Sequence, residues 1–183
     1  MKILLTTSRK TSQRVRQFIK EFSYLFPKSF IQRSNRGKLS LAELFDQSLT
    51  RYDRILVVTN WHGNPDKIIG YTKKDDEFIW FFEFKIKNVK LSYELQTSKL
   101  DSPDKTLISF ENVDPDLQNV LSNFFLPFIE TGKIVDKTGV RDVYLSHKEK
   151  GFELYAMDEE YMHLPPEIAI TEIIITDPEV IRE

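Results

Sequence analysis

The spacing of apolar residues predicts that the chain opens with a short strand and an amphipathic helix. Lys2–Thr7 is an apolar run typical of a β-strand. Beyond it, apolar residues recur at helical spacing, which is the pattern of a helix with one buried face. The recurring residues are Val15, Phe18, Ile19, Phe22, Leu25 and Phe26. Thr11 or Ser12 is placed to cap this helix, and Pro27 is placed to end it.

The pattern then predicts further strands and a second helix. Ser29–Gln32 reads as a brief strand, and Ser40–Glu43 has the composition of a capping box that opens a helix. Arg54–Trp61 is almost continuously apolar, which predicts a strand buried on both faces. A turn is expected at Gly63–Asp66, ahead of a strand at Lys67–Thr72.

A long β pattern covers Glu77–Leu91, where aromatic residues fall on alternate positions. One face is expected to lie in the core and carries Phe78, Trp80, Phe82, Phe84 and Ile86. The other face begins with Ile79 and Phe81 and continues with Glu83, Lys85 and Lys87. This change predicts that the second face becomes exposed to water toward the end of the strand.

A second strand–helix unit follows a polar segment at Thr97–Lys105. Its strand is predicted at Thr106–Phe110, and Asp114 and Pro115 are residue types favoured at a helix cap and at the first helical position. The apolar stripe of this helix consists of Leu117, Val120, Leu121, Phe124, Phe125 and Phe128. Pro127 follows these aromatic residues as Pro27 follows the first stripe, so two related halves are predicted, with a boundary in the polar segment.

The remaining apolar segments predict strands. Arg141–Ser146 and Gly151–Met157 read as a hairpin, and Pro166–Thr176 reads as a final strand. The alternation of strands and helices predicts an α/β fold class.

The net charge of −2 conceals two oppositely charged parts of the chain. Residues 1–40 contain ten lysines and arginines against the single acid Glu21, whereas the rest of the chain contains sixteen bases and twenty-seven acids. Two basic segments, Ser8–Lys10 and Arg33–Lys38, each lie between a predicted strand and a predicted helix. If these strands are parallel, both segments lie at the carboxyl edge of the sheet, where open α/β sheets bind ligands. Concentrated positive charge at such an edge predicts binding of a polyanion.

The predicted RNA-binding residues come from these segments, from the first turns of the first helix and from the strand Arg54–Trp61. They are Ser8, Arg9, Lys10, Arg14, Arg16, Arg33, Arg36, Gly37, Lys38 and Trp61. The bases are expected to hold phosphates, with backbone N–H groups near Ser8 and Gly37 assisting. Trp61 either stacks a base or covers the end of the sheet as part of the core. The acidic last third is either a solvated face or a surface that receives basic proteins.

Signals for catalysis, metals and membranes are missing from the sequence. The six glycines form no phosphate-binding loop, the three histidines are too dispersed for a metal pair, and there is no cysteine. We therefore expect no enzyme activity, no cofactor and no metal. No apolar run is long enough for a membrane span or a signal peptide, which leads us to expect a soluble cytoplasmic protein.

Three blocks of the sequence closely resemble the Brix-domain family, and Gly63-Asn64-Pro65 follows the third of them. The blocks are Ile3–Arg14, Ser34–Leu41 and Asp53–Thr59. The resemblance is to the short archaeal form and implies a single Brix domain over residues 1–183. It implies two similar α/β halves, residues 1–98 and 99–183, each resembling the anticodon-binding domain of class II aminoacyl-tRNA synthetases. It also implies a non-catalytic ribosome biogenesis factor that binds ribosomal RNA precursor and assists its processing, with ribosomal or other assembly proteins as further partners.

The chain departs from the family pattern at two places. It has Lys73–Asp76 where many members carry Gly-Pro-Thr, and Glu149–Phe152 where many carry Gly-Pro-Arg-Phe. We therefore expect the second half not to make the same RNA contact. Two alternative functions stay open from the sequence: a protein-interaction scaffold in pre-ribosomal particles, and an RNA-binding factor directed at tRNA.

Overall fold

The predicted strands and helices are present in the computed structural model of the protein, which describes residues 1–97, 100–125, 139–158 and 162–176. The first part contains β1 Ile3–Thr7, α1 Gln13–Ser23, β2 Ile31–Arg33, α2 Leu41–Ser48, β3 Arg54–Trp61, β4 Asn64–Lys74, β5 Glu77–Lys90 and α3 Ser92–Leu95. The second part contains β6 Lys105–Glu111, α4 Pro115–Phe124, β7 Val140–Lys148, β8 Gly151–Met157 and β9 His163–Ile175. Pro127 and Phe128 lie outside the described residues.

All of these strands belong to one sheet, which has nine strands in the described part of the chain. Their order is β2-β1-β3-β4-β5-β9-β8-β7-β6. β1 is parallel to β2 and β3, β6 is parallel to β7, and the other neighbours are antiparallel. The series β1-β3-β4-β5 and β6-β7-β8-β9 thus share one order and one set of directions, and β5 meets β9. The predicted α/β class is confirmed, while the division at residues 98 and 99 stays a prediction.

The core lies on both faces of β3, as predicted. Leu56 and Val58 point into a large cluster that also contains the buried faces of α1 and α4. Ile55 and Val57 point the other way, into a smaller cluster beneath α2. The predicted apolar stripe of α1 is fully buried, although the helix ends at Ser23 and its last members follow as a turn.

The alternation predicted along β5 is wrong at Trp80. A bulge opposite Gly70 and Tyr71 inserts one extra residue into β5, so that Phe82 pairs with Gly70 but Trp80 pairs with Tyr71. Phe81 is therefore buried, with 4% of its surface exposed, while Trp80 is 37% exposed. A Cβ atom at Gly70 would collide with the Phe82 ring, so only glycine fits there.

The turn between β3 and β4 is also shorter than predicted. β4 already begins at Asn64, and the chain reverses over His62 and Gly63, whose φ angles are +47° and +85°. Two consecutive left-handed residues are typical of the tight hairpin turns that match strand twist.

Two half-buried arginines tie the strand–helix units to each other. Arg54, at the start of β3, donates to Asn123 O at 3.4 Å near the end of α4. Arg141, in the corresponding part of β7, donates to Tyr24 O at 3.1 Å at the end of α1. Burial lowers the pKa of both guanidinium groups. Each arginine thus places its charge at the negative end of the other unit's helix. No helix within the described ranges is long and apolar enough to cross a membrane.

Candidate nucleic-acid interface

The two basic loops lie side by side at the carboxyl edge of the sheet. β1 is parallel to β2, and the loop after β2 stays against β1 because Ser34 N donates to Leu5 O at 3.0 Å. Thr6 Oγ1 also donates to Ser34 O at 2.8 Å. The prediction that both loops share this edge is confirmed. We call loops 8–12 and 33–40, together with the basic side chains of α1 beside them, the basic edge.

The β3–β4 turn packs against the first of these loops. Asn60 Nδ2 donates to Lys10 O at 2.7 Å, and Ser12 Oγ donates to Gly63 O at 2.5 Å. The same Ser12 Oγ accepts the Val15 N–H and so caps α1 as predicted. The turn that follows Trp61 is therefore fixed next to the basic edge.

Arg9 and Arg36 converge on one backbone oxygen. Their Nε atoms donate to Leu39 O at 3.1 Å and 2.9 Å. Partial burial and the nearby charge of Arg9 lower the pKa of Arg36. Arg9 in turn contributes to lowering the pKa of Glu43, after the hydrogen bonds that Ser40 makes to that carboxylate. Because each Nε is occupied, the remaining donors of the two guanidinium groups are available to an anion that would relieve their repulsion.

A groove lies on the β2 side of α1. It has a volume of about 380 Å³, and the charged residues that line it are Arg16, Lys20 and Arg33. Arg33 also lies over the Tyr24 ring, with its guanidinium carbon 5.6 Å from the ring centroid. Lys20 was not among the predicted residues, although its spacing of four from Arg16 placed it on the same helix face.

The turn before α2 supports the second loop. Gly37 has a φ of +60°, a conformation that other residues rarely adopt, and the space around it is open. Lys38 is exposed beside it. Ser40 and Glu43 form the predicted capping box, with each side chain bonded to the other residue's backbone N–H.

Two of the predicted site residues have different roles from those expected. The Ser8 N–H donates to Val58 O at 2.9 Å, so it is not available to a phosphate. Arg14 points away from the loops and forms an ion pair with Glu94 at 3.0 Å. Burial alone would lower the pKa of Arg14, but Glu94 and Tyr93 raise it. Arg14 therefore joins α1 to α3 instead of supplying free charge.

The other bases of the basic edge are not neutralised in this way. Among the described residues, no carboxylate forms an ion pair with Arg9, Lys10, Arg16, Lys20, Arg33, Arg36 or Lys38. Three lysines of the central strands behave differently. Lys67, Lys85 and Lys90 contact Glu83, Glu172 and Glu167 at 2.8, 2.6 and 2.8 Å. The basic edge thus brings together seven bases that form no ion pair with a described carboxylate.

Trp61 is exposed at the end of β3, with 67% of its surface accessible, so it does not cover the sheet as core. Its ring meets the His62 ring edge-on, with centroids 4.7 Å apart. The described residues contain no cluster of three or more His, Asp or Glu side chains suited to holding a metal ion.

Comparison with known proteins identifies the fold family. The Brix domain model matches residues 8–170. A probable Brix domain-containing ribosomal biogenesis protein of Aeropyrum pernix is 38% identical over 95 residues, which are 49% of this chain and 50% of that protein. The U3 small nucleolar ribonucleoprotein protein imp4 of Schizosaccharomyces pombe is 27% identical over 176 residues, which are 84% of this chain and 59% of that protein. The match thus spans about half the length of these curated relatives.

Solved structures show the same fold. A probable ribosomal biogenesis protein from Aeropyrum pernix K1 superposes with a TM-score of 0.72 at 24% identity, covering 96% of this chain and 99% of that one. Mil, an archaeal Imp4-like protein, superposes with a TM-score of 0.66 at 21% identity, covering 95% and 99%. The ribosome biogenesis proteins of this family are non-catalytic, which agrees with the prediction that the chain is not an enzyme. The family model covers most of the chain, and the protein belongs to the Brix domain family.

Proposed function

We propose that this protein is a ribosome biogenesis factor that binds ribosomal RNA precursor along the basic edge. Its mechanism is positional. Arginines and lysines neutralise successive phosphates, so that a flexible RNA segment is held in one path while it folds, pairs or is processed. The contacts are to the backbone, and they fix register without reading sequence.

The observation that carries this proposal is the pair formed by Arg9 and Arg36. Two like charges share Leu39 O, and neither forms an ion pair with a described carboxylate. Such an arrangement is unfavourable by itself and becomes favourable when a phosphate lies between the two groups. The groove lined by Arg16, Lys20 and Arg33 extends the same charge along α1.

The relatives support the RNA class. One matching protein is named as a ribosomal biogenesis protein and another as part of a small nucleolar ribonucleoprotein. As part of the same proposal, ribosomal or other assembly proteins are further partners. We also propose that the shared order of β1-β3-β4-β5 and β6-β7-β8-β9 reflects two similar halves with the topology of class II anticodon-binding domains.

Crosslinking in cell extract, followed by sequencing of the bound RNA, tests this function. We expect ribosomal RNA precursor to be enriched over transfer RNA, and the Arg9→Ala/Arg36→Ala variant to lose that enrichment. The matched control is Lys85→Ala/Lys90→Ala, which removes the same charge from residues that are already ion-paired. Enrichment of transfer RNA would favour the tRNA-directed alternative, and recovery of proteins without RNA would favour the scaffold.

A further inference from the structure

The tip of the β3–β4 hairpin presents an aromatic face to solvent in a fixed orientation. Trp61 is the most exposed of the large hydrophobic side chains in the described part of the chain. The turn behind it is held internally by Gly63 N, which donates to Asn60 Oδ1 at 3.0 Å, and externally by Ser12. Orienting this ring on binding therefore costs little entropy.

A cavity of about 280 Å³ opens beside Trp61, where β4 and β5 are no longer paired. The β4–β5 ladder ends where Lys67 pairs with Lys85, while β5 runs on to Lys90. Register shifts against β9 flank Ile86 and leave Lys87 unpaired between Ile86 and Asn88. Bulges of this kind redirect side chains and are frequent beside functional sites.

The cavity combines three chemical groups that recognise a nucleotide. Trp61 and His62 supply aromatic surface, Asn64 and Asn88 supply amide donors and acceptors, and Lys87 supplies a positive charge. Asp66 also lines it, but its carboxylate already accepts a hydrogen bond from Thr59 at 3.2 Å. Stacking on an aromatic side chain with amide contacts to the base edge is how proteins hold unpaired bases.

The cavity is continuous with the basic edge. Asn60 lies at the hairpin end and bonds to Lys10 O, so the hairpin tip and the first basic loop form one surface. An RNA strand that crosses the loop can place a base beside Trp61 without leaving the region of positive charge. This continuity favours a nucleotide over a peptide as the occupant.

We propose that this cavity binds the base of one unpaired nucleotide, stacked on Trp61, with its phosphate near Lys87. The site therefore makes the protein prefer RNA with a single-stranded or bulged position over continuous duplex. The inference rests on the proposed function, because the base is delivered by RNA held along the basic edge.

Tryptophan fluorescence isolates this site. The chain has two tryptophans, so a Trp80→Phe protein reports only on Trp61. The probes are a short single-stranded oligouridylate, the same length of abasic ribose-phosphate, and a duplex containing the same strand. We expect the oligouridylate to quench Trp61 fluorescence, and the two other probes to leave it nearly unchanged. In the wild-type background, Trp61→Ala should lower affinity for the oligouridylate by about tenfold, as expected for one stacked base.

Trp61→Ala and wild type should have equal affinity for the abasic strand and for the duplex. Trp61→Phe should keep most of the preference for single-stranded RNA over duplex. Unchanged oligouridylate affinity in Trp61→Ala, with salt-sensitive RNA binding intact, would overturn the base site and leave the proposed function standing. If the wild-type protein does not bind RNA at all, both the base site and the proposed function are overturned. Quenching by an extended peptide but not by RNA would make the cavity a protein-docking site and would also overturn the inference.

Discussion

The two strand–helix units of this molecule share an arrangement and differ in charge. β1 leads to α1 and lies parallel to β3, and β6 leads to α4 and lies parallel to β7. The first helix starts with neutral Ser12 as its cap and has no acid in its first turn. The second starts with Asp114, whose carboxylate accepts the N–H groups of Asp116 and Leu117 at 2.9 and 3.4 Å.

Under the proposed function, this difference means that the fold alone does not create an RNA interface. The end of α4 that could receive an anion is already occupied by a carboxylate of its own chain and carries a second acid at Asp116. The start of α1 instead lies beside Arg9, Lys10 and Arg16, which form no ion pair with a described carboxylate, while Arg14 is paired with Glu94. Function therefore depends on what is placed at the strand–helix junction, and the same scaffold can support or exclude phosphate binding.

The largest expected effect comes from removing the convergent arginines. Arg9→Ala/Arg36→Ala should weaken RNA binding by about a hundredfold, since two charged hydrogen-bonding groups contribute about 1.5 kcal/mol or more each. Lys85→Ala/Lys90→Ala removes equal charge from ion-paired sites and should change affinity by less than about threefold. Fluorescence anisotropy with a labelled RNA measures both affinities. Equal losses of affinity in the two variants would mean that the basic edge contributes no more to RNA binding than the ion-paired lysines of the sheet.

Loss of the half-buried arginine of β7 that contacts the end of α1 should destabilise the fold. Arg141→Met leaves Tyr24 O and Asp101 O without their donor, which should lower the free energy of unfolding by about 1–3 kcal/mol. Urea denaturation provides the measurement. The exposed Arg51→Met control should stay within about 0.5 kcal/mol of wild type. If Arg141→Met has the same free energy of unfolding as wild type, Arg141 does not stabilise the contact between the two units.

The helix caps should have similar effects on stability and different effects on RNA binding. Ser12→Ala and Asp114→Ala should each lower the free energy of unfolding by about 1 kcal/mol, because each removes the acceptor for a first-turn N–H. Only Ser12→Ala should also weaken RNA binding, by a few-fold, because Ser12 holds the β3–β4 turn against the basic loop. Chemical denaturation and anisotropy on the same samples test the pair. An equal loss of RNA affinity in Asp114→Ala would contradict the proposal that only the first strand–helix unit binds RNA.

The effect confined to the narrowest range of conditions is a pH dependence in the second unit. Burial, followed by the hydrogen bond to Glu111, raises the pKa of Tyr155 to about 12 from its usual value of about 10. Between these values the unfolded chain loses the phenol proton while the folded chain keeps it. This group's contribution to stability is therefore present below pH ~10 and falls as the pH rises toward about 12. The midpoint temperature of thermal unfolding should fall more steeply with pH for wild type than for Tyr155→Phe in that window. Parallel curves would disprove this coupling.

Local patterns predicted most of the fold because local interactions determine it. The Ser12 cap, the capping box of α2 and the two-sided burial of β3 depend on neighbouring residues, and each was predicted. The exposure of Trp80 was not, because the bulge that turns Phe81 inward depends on the pairing of β5 with Gly70 in another strand. Periodicity assumes an uninterrupted strand and has no signal for such a shift.

The same limit applies to the site. Parallel β1 and β2 bring the basic loops together, as the order of strands, basic loops and helices predicted for parallel strands. The ion pair of Arg14 with Glu94 joins residues 80 positions apart, and the convergence of Arg9 on Leu39 depends on the folded path of the second loop. Lys87 lies between Lys85 and Lys90 in the sequence, yet it alone of the three lines the Trp61 cavity. The distribution of charge along the sequence predicted the basic edge. Only tertiary contacts determine which of the bases form ion pairs with carboxylates.

The salt dependence of RNA binding tests the central claim most directly. If about five phosphates are neutralised by the basic edge, the logarithm of the binding constant for single-stranded RNA should fall with the logarithm of salt concentration at a slope of about −3 to −4. Arg33→Ala/Arg36→Ala/Lys38→Ala should flatten that slope by about two units and weaken binding to all sequences alike. Lys67→Ala/Lys85→Ala/Lys90→Ala, which removes equal charge from ion-paired lysines, should keep the wild-type slope. A wild-type slope in the first variant together with a flattened slope in the second would place the RNA on another surface.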